Sequence, residues 1–282
     1  MTELSTFALC LVLIAALLHA LWNAIIKGAG DQTLSLGLVS LPHIFIGGAM
    51  VVLFLPPLAE SWPFVAASTG IHFFYYAFLL RSYRFGDLSQ VYPISRGIAP
   101  ILVTLGALVF TGELLPLFGW VGIFLVSIGV CLPAILSRGR AKNPQAIMAA
   151  LATGVFIASY SVVDGIGVRA SGSPFGYIGW LFMLEIFVVA FIFYHRRHQL
   201  HQIPARVWGI GLSGGVASAA AYGLAIYAKS IAPMGAVSAV RESSVVIAAL
   251  IGIVFLGERP WKIRIVSAFI VAIGVFVLAL FV

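Results

Sequence analysis

The 282 residues are 62% hydrophobic and 9% charged, with a formal net charge of +7 and a mean hydropathy of +1.11. That balance excludes a soluble domain, and the polar stretches between apolar runs leave no room for an extramembrane one. The basic excess does not imply nucleic acid as a partner. Most Lys and Arg fall in short loops, where they set membrane orientation and meet anionic headgroups of the bilayer.

Runs of about 20 apolar residues read as spanning helices, and the polar–apolar alternation of a closed barrel is missing. The apolar runs predict ten spans, at 5–28, 34–55, 63–84, 88–111, 115–136, 145–168, 174–194, 206–229, 233–256 and 260–282. The first is too long for a signal peptide and its leading MTELST carries no positive charge, so it reads as a retained span. Turn and charge clusters such as GAGDQT, PPLAES, RFGD and HRRHQLHQIPAR separate the spans, and SRGRAKNP (137–144) separates two halves. Cys10 and Cys131 both lie inside spans, so no disulfide framework, metal site or cofactor is expected.

Arg96 and Arg241 stand 145 residues apart, each about eight residues into its span. The same offset carries Ser68 onto Ser213, Gly70 onto Gly215, Phe110 onto Phe255, Gly112 onto Gly257 and Glu113 onto Glu258. The second and seventh spans align better at 142, LPHIF (41–45) with MLEIF (183–187), which sets His43 opposite Glu185. Five spans per repeat is an odd number, so the second repeat enters the membrane from the other side. The expected fold is therefore an all-α integral membrane protein of ten transmembrane helices in two inverted five-helix repeats, 1–136 and 145–282. Twelve loop cations fall on one side and only Arg169 and Lys229 on the other, which predicts that side as cytoplasmic and both chain ends outside.

A guanidinium keeps its proton, and placing one in hydrocarbon costs at least ~2.5–3.5 kcal/mol, so an intramembrane Arg marks function by default. Around Arg96, YPISRG (92–97) and Pro100 predict a bent helix whose freed carbonyls line a cavity, with Pro93 as a structural element. The ninth span presents VRESS (240–244), with Glu242 next to Arg241. Two interpretations stay open. Arg96 and Arg241 hold an anionic group in a central cavity, or they belong to an ion network neutralised by Glu242, Asp164 or Glu185. Buried Glu185 and Asp164, with Glu242 and His19, are the candidates for carrying a coupling proton. His43 and His72 are also inside spans, where packing roles compete with proton relay. Trp22, Tyr75, Tyr76, Tyr160 and Tyr222 lie deep enough to line a cavity, whereas Trp62, Trp208 and Trp261 fit an interfacial belt. Glu113 and Glu258 close matched TGE and LGE turns and are expected to accept bonds from amides that start the next helix. Enzyme signatures and nucleotide loops are missing, so a secondary transporter fits better than an enzyme or pump.

The five-plus-five pattern, HALWNAIIK (19–27), the GE turn at 112–113 and the GER turn at 257–259 resemble the EamA branch of the drug/metabolite transporter superfamily. YPISRG and VRESS resemble a narrower branch associated with phosphonate use. The resemblance implies a ten-helix basket in a bacterial inner membrane, alternating access, and a small organic solute moved by exchange or proton coupling. It also implies a cavity lined by the third, fourth, eighth and ninth helices, where Arg96, Arg241, Tyr76 and Tyr222 fall. The expected function is secondary transport of a small anionic or zwitterionic metabolite. The alternatives are an exporter of lipophilic cations and a lipid-handling membrane protein or intramembrane enzyme.

Overall fold

The computed structural model describes residues 3–26, 31–85, 88–136, 143–254 and 261–282, and all its long elements are helices. The first half contains α1 (Thr6–Ile26), α2 (Gln32–Leu53), α3 (Trp62–Phe85), α4 (Leu88–Thr111) and α5 (Leu117–Leu136). The second contains α6 (Pro144–Ala170), α7 (Pro174–Met183), α8 (Ile186–His195), the short α9 (Arg197–Leu200), α10 (Ala205–Ile231), α11 (Met234–Arg241), α12 (Ser244–Val254) and α13 (Trp261–Phe281). Among the described residues nine spans are long and apolar enough to cross a membrane, α7 and α8 together making one. The remaining predicted span, 233–256, is divided into α11 and α12 and is not continuous. Phe45, Val52, Phe74, Phe110, Phe187 and Phe269 are among the many large apolar side chains exposed on the outside, a surface suited to lipid.

Local chemistry starts and stops the helices. Asp31 caps α2 by accepting from the amides of Thr33 and Leu34, and Asn143 caps α6 through the Gln145 amide with Pro144 at the first helical position. Gly112, at φ +67°, ends α4 in the left-handed conformation. Its amide reaches the Leu108 carbonyl, the single 5→1 bond of an αL cap, and the Glu113 amide reaches the Ala107 carbonyl, so the chain turns and carries the Glu113 carboxylate off the helix axis.

The two halves interleave. The closest packing joins α5 to α13, α3 to α6, α1 to α10, α4 to α6 and α2 to α7. Exchanging the halves turns the α3–α6 contact into α10–α1, and the α4–α6 contact into α1 against α11 and α12, both of which occur. The α5–α13, α2–α7 and α4–α11 contacts map onto themselves, so they lie at the centre of the exchange. Missing side chains allow close approach there. A Cβ on Gly122 would meet the Gly274 carbonyl oxygen at 2.9 Å, and a Cβ on Gly274 the Gly122 carbonyl oxygen at 2.8 Å.

The helix breaks fall elsewhere than the prolines predict. The α4 helix runs through Pro93 and Pro100 without interruption. Nearby donors use the carbonyls of that stretch: Thr104 Oγ1 donates to the Pro100 carbonyl at 2.8 Å and Cys131 Sγ to the Pro93 carbonyl at 3.6 Å. The interruptions are instead at Leu184–Glu185, between α7 and α8, and at Glu242–Ser243, between α11 and α12. At both, i→i−3 bonds replace the α-helical ladder: Glu185 to Phe182, Glu242 to Ala239 and Ser243 to Val240. Such a tightened stretch inside a helix often marks a hinge. Each one carries a buried carboxylate.

Candidate substrate and coupling site

The two carboxylates at the breaks each meet a basic side chain of the first half. Glu242 receives the Arg96 fork, with Nε donating to Oε2 at 3.1 Å and Nη2 in charge contact with Oε1 at 2.7 Å. Glu185 meets His43, Oε1 to Nδ1 at 2.9 Å. His43 and Glu185 are the pair set opposite one another by the 142-residue alignment, so that register brings them into contact as well as into correspondence.

Glu242 is the sequence neighbour of Arg241 yet pairs with Arg96. Adjacent residues on a helix point about 100° apart, and the turn at 242–243 directs the carboxylate to α4. Arg241 is 5% exposed, its Nε is buried without a hydrogen-bond partner, and no carboxylate among the described residues lies within ion-pair distance of it. His19 on α1 is within electrostatic reach of both Arg96 and Arg241. Trp22 Nε1 donates to His19 Nδ1 at 3.2 Å, and the far ring nitrogen faces Tyr92 Oη at 3.4 Å. Because indole only donates, that bond requires an unprotonated Nδ1 and holds His19 neutral.

A second cluster surrounds Asp164, which is fully buried on α6. Tyr177 Oη donates to Oδ1 at 3.1 Å, and Tyr222 Oη donates to Oδ2. Tyr222 Oη also lies 3.1 Å from His72 Nε2 on α3. The His72 ring stacks on Tyr160 at 4.2 Å, with Tyr75, Tyr76 and Tyr222 closing around it. Substrate-lining candidates Tyr76, Tyr160 and Tyr222 thus gather at His72, while Trp22 gathers with His19 near the arginines. Ser40 lies beside both Tyr76 and Glu185.

Glu113 does bind a helix start, but of α11 and not of the next helix, α5. Its Oε1 accepts the Met234 amide at 2.7 Å and its Oε2 the Arg169 Nη1 at 3.0 Å. Arg169 also donates to the carbonyls of Lys229 and Ala232, both at 2.8 Å, closing the end of α10. The short connection from α4 to α5 brings Glu113 to the second half because α4 packs against α11. Glu258 is outside the described residues.

Loop counting missed Lys229. It sits in the last turn of α10, 1% exposed, with Nζ donating to the Ser161 carbonyl at 3.1 Å, so it does not contribute to the outer loop charge. The signal available in the sequence was the helical reach of 205–231, which puts Lys229 inside the last turn. Tyr177 was passed over because its partner Asp164 lies across the SGSP turn, a contact that only the α6–α7 packing creates.

Residues 144–280 match the model of the EamA-like transporter family. One solved crystal structure superposes with a TM-score of 0.76 at 18% identity, covering 98% of this chain and 97% of its own. At that identity the likeness concerns the fold. No curated protein matches the chain in sequence.

Proposed function

We propose that the chain, whose residues 144–280 match the EamA-like transporter family, is a transporter of small solutes of the drug/metabolite transporter superfamily, and that its solute is anionic or zwitterionic and is held at Arg241. The observation that carries this is the imbalance at the α11–α12 break. Arg96 and Glu242 cancel each other, and Arg241 remains as a buried guanidinium with a free Nε. A planar guanidinium suits a carboxylate or a phosphonate, and a buried Nε without a partner is a donor such a group would satisfy. Arg96 supports the site by occupying Glu242, which otherwise would compete for Arg241. Trp22, His19 and Tyr92 border the same region.

The exchange pattern of helix packing supports 1–136 and 145–282 as two inverted repeats that rock about the self-paired contacts. The broken ninth span then provides the hinge, and alternating access follows from opening at one side of α4–α11 and then the other. An exporter of lipophilic cations needs an unpaired buried carboxylate. Glu242 meets Arg96, whereas Glu185 has one oxygen on His43 and the other, Oε2, without a hydrogen-bond partner, and Asp164 takes two tyrosine hydroxyls, so these last two are the carboxylates that such an exporter would use.

Thermal stabilisation tests the assignment, because a ligand that binds only the folded state raises the melting point by mass action. Wild type, Arg241→Gln and Arg96→Gln are compared across amino acids, organic acids, aminoalkylphosphonates and lipophilic cations. A shift with an acid or zwitterion that disappears in Arg241→Gln is expected. A shift with cations alone, unchanged in Arg241→Gln, replaces this function with the cation exporter.

A further inference from the structure

His72, Tyr222 and Asp164 form a row that crosses the two halves, and we propose that it is a binding site for one shared proton that holds α3 against α6 and α10. This extends the transport function, but the chemistry does not depend on which solute moves. His72 Nδ1 faces the Ser68 carbonyl at 2.8 Å and the Ser68 hydroxyl at 3.3 Å; the shorter contact is with a group that only accepts, so Nδ1 carries hydrogen and the hydroxyl accepts as well. Only Nε2 can change state, and it faces Tyr222 Oη at 3.1 Å. The single hydroxyl hydrogen of Tyr222 is directed either to Asp164 or to His72, never to both.

Two arrangements satisfy every contact. In one, Asp164 is ionised, Tyr222 donates to it, and a protonated Nε2 donates to Tyr222 Oη. In the other, protonated Asp164 donates to Tyr222 Oη, and Tyr222 donates to an unprotonated Nε2. They contain the same number of hydrogens. One becomes the other when Tyr222 accepts the Nε2 hydrogen as it passes its own to Oδ2, so no charge leaves the row. With one proton fewer, Tyr222 Oη and Nε2 face each other as two lone pairs at a distance set for a hydrogen bond. With one proton more, the Tyr222 hydrogen keeps Oδ2 as its acceptor only if the added hydrogen sits on Asp164 Oδ1 and Tyr177 turns its own hydrogen away from that oxygen. One added proton is therefore the number that satisfies the row without rearranging Tyr177.

The surroundings agree with a titratable row. Tyr160 stacks on the His72 ring at 4.2 Å, centroid to centroid, a face that favours a cation, and Tyr75 and Tyr76 lie farther out at 6.3 and 6.2 Å. Tyr177 on α7 gives Asp164 its second bond, and Lys229 on α10 acts on it by charge while bonded to Ser161. Glu185 shares a crevice with His72 between α3, α7 and α8, lined also by Thr69, Leu181, Leu184 and Val188. His72 belongs to the first half, and Asp164 and Tyr222 to the second. Loss of the proton therefore frees α3 from α10, which is the movement between halves that a transport cycle requires.

The test needs no solute. Purified full-length protein in lipid nanodiscs, labelled with 13C-aspartate and 15N-histidine, is titrated with pH. The infrared absorption of the Asp164 acid and the 15N signals of His72 are followed together with proton release to an indicator. The Asp164 and Nε2–H signals are expected to fall across one common midpoint with one proton released. Asp164→Asn and His72→Gln each remove that step, the double variant removes no more than either, and Tyr222→Phe splits it into two. Two separate midpoints in the wild type, or loss of two protons in the double variant, overturn the proposal. Where a variant does not fold, the wild-type midpoints decide alone. The anion test at Arg241 can fail while this one succeeds, and the reverse.

Discussion

The breaks at Glu185 and Glu242 look alike in the backbone and differ in chemistry. Both interrupt a spanning helix of the second half at a tightened turn, and both give a buried carboxylate to a basic side chain of the first half. At Glu185 the partner is His43, an imidazole that can share a hydrogen with the carboxylate with both groups neutral. At Glu242 the cation is Arg96, which keeps its charge whatever the carboxylate does. The Glu242 break also has a second guanidinium beside it, and the Glu185 break has no such excess. One architecture thus makes a neutralisable contact in α7–α8 and a permanently cationic one in α11–α12. A fixed charge suits holding an anion, and a dischargeable pair suits opening and closing with little electrostatic cost.

The sharpest way to break this contrast is Glu242→Gln. It leaves Arg96 and Arg241 buried with no carboxylate between them, and a loss of about 3–5 kcal/mol is expected from removing one partner of a buried pair. Denaturant or thermal unfolding in detergent reads it, and a variant as stable as wild type removes the electrostatic distinction. Replacing both partners, Arg96→Met with Glu242→Leu, recovers most of the loss, since an apolar pair of similar volume is often neutral.

Glu185→Ala comes next. It leaves the buried His43 Nδ1 without its acceptor, at about 1–3 kcal/mol. Glu185→Gln keeps an acceptor oxygen and recovers most of that in the same melts. If Glu185→Ala costs as much as Glu242→Gln, the histidine pair is as fixed as the arginine pair and the contrast fails.

The smallest effect belongs to the rim, where Glu113 ties Arg169 to the Met234 amide. Glu113→Gln retains an oxygen for one of those donors and loses the charge, for about 1 kcal/mol in melting experiments. A larger drop than at Glu185 places the main bond between the halves at this rim and not at the helix breaks.

Much of the architecture was legible in the chain. Long apolar runs located the spans to within a few residues, because hydrocarbon tolerates only helices that satisfy their own backbone. The 145-residue offset singled out Arg96 and Arg241, and the 142-residue offset set His43 opposite Glu185. The partners were legible only as a set. Glu242 was among the carboxylates open to either arginine, and its choice of Arg96 over its neighbour Arg241 depends on which helix each side chain faces. The prolines of α4 leave its helix uninterrupted.

By itself, then, the sequence determined the membrane setting, the number and positions of the spans, and the polar residues that enter the bilayer, since hydropathy and periodicity are local properties. Only the tertiary structure decided that Arg96 takes Glu242, that Arg241 keeps a free Nε, that Lys229 is buried, and that His72, Tyr222 and Asp164 line up. Those contacts join residues 58 to 150 positions apart. Two of them, Arg96–Glu242 and His72–Tyr222, cross between the halves, and the other two join α10 to α6 within the second half; all four depend on which helices pack together.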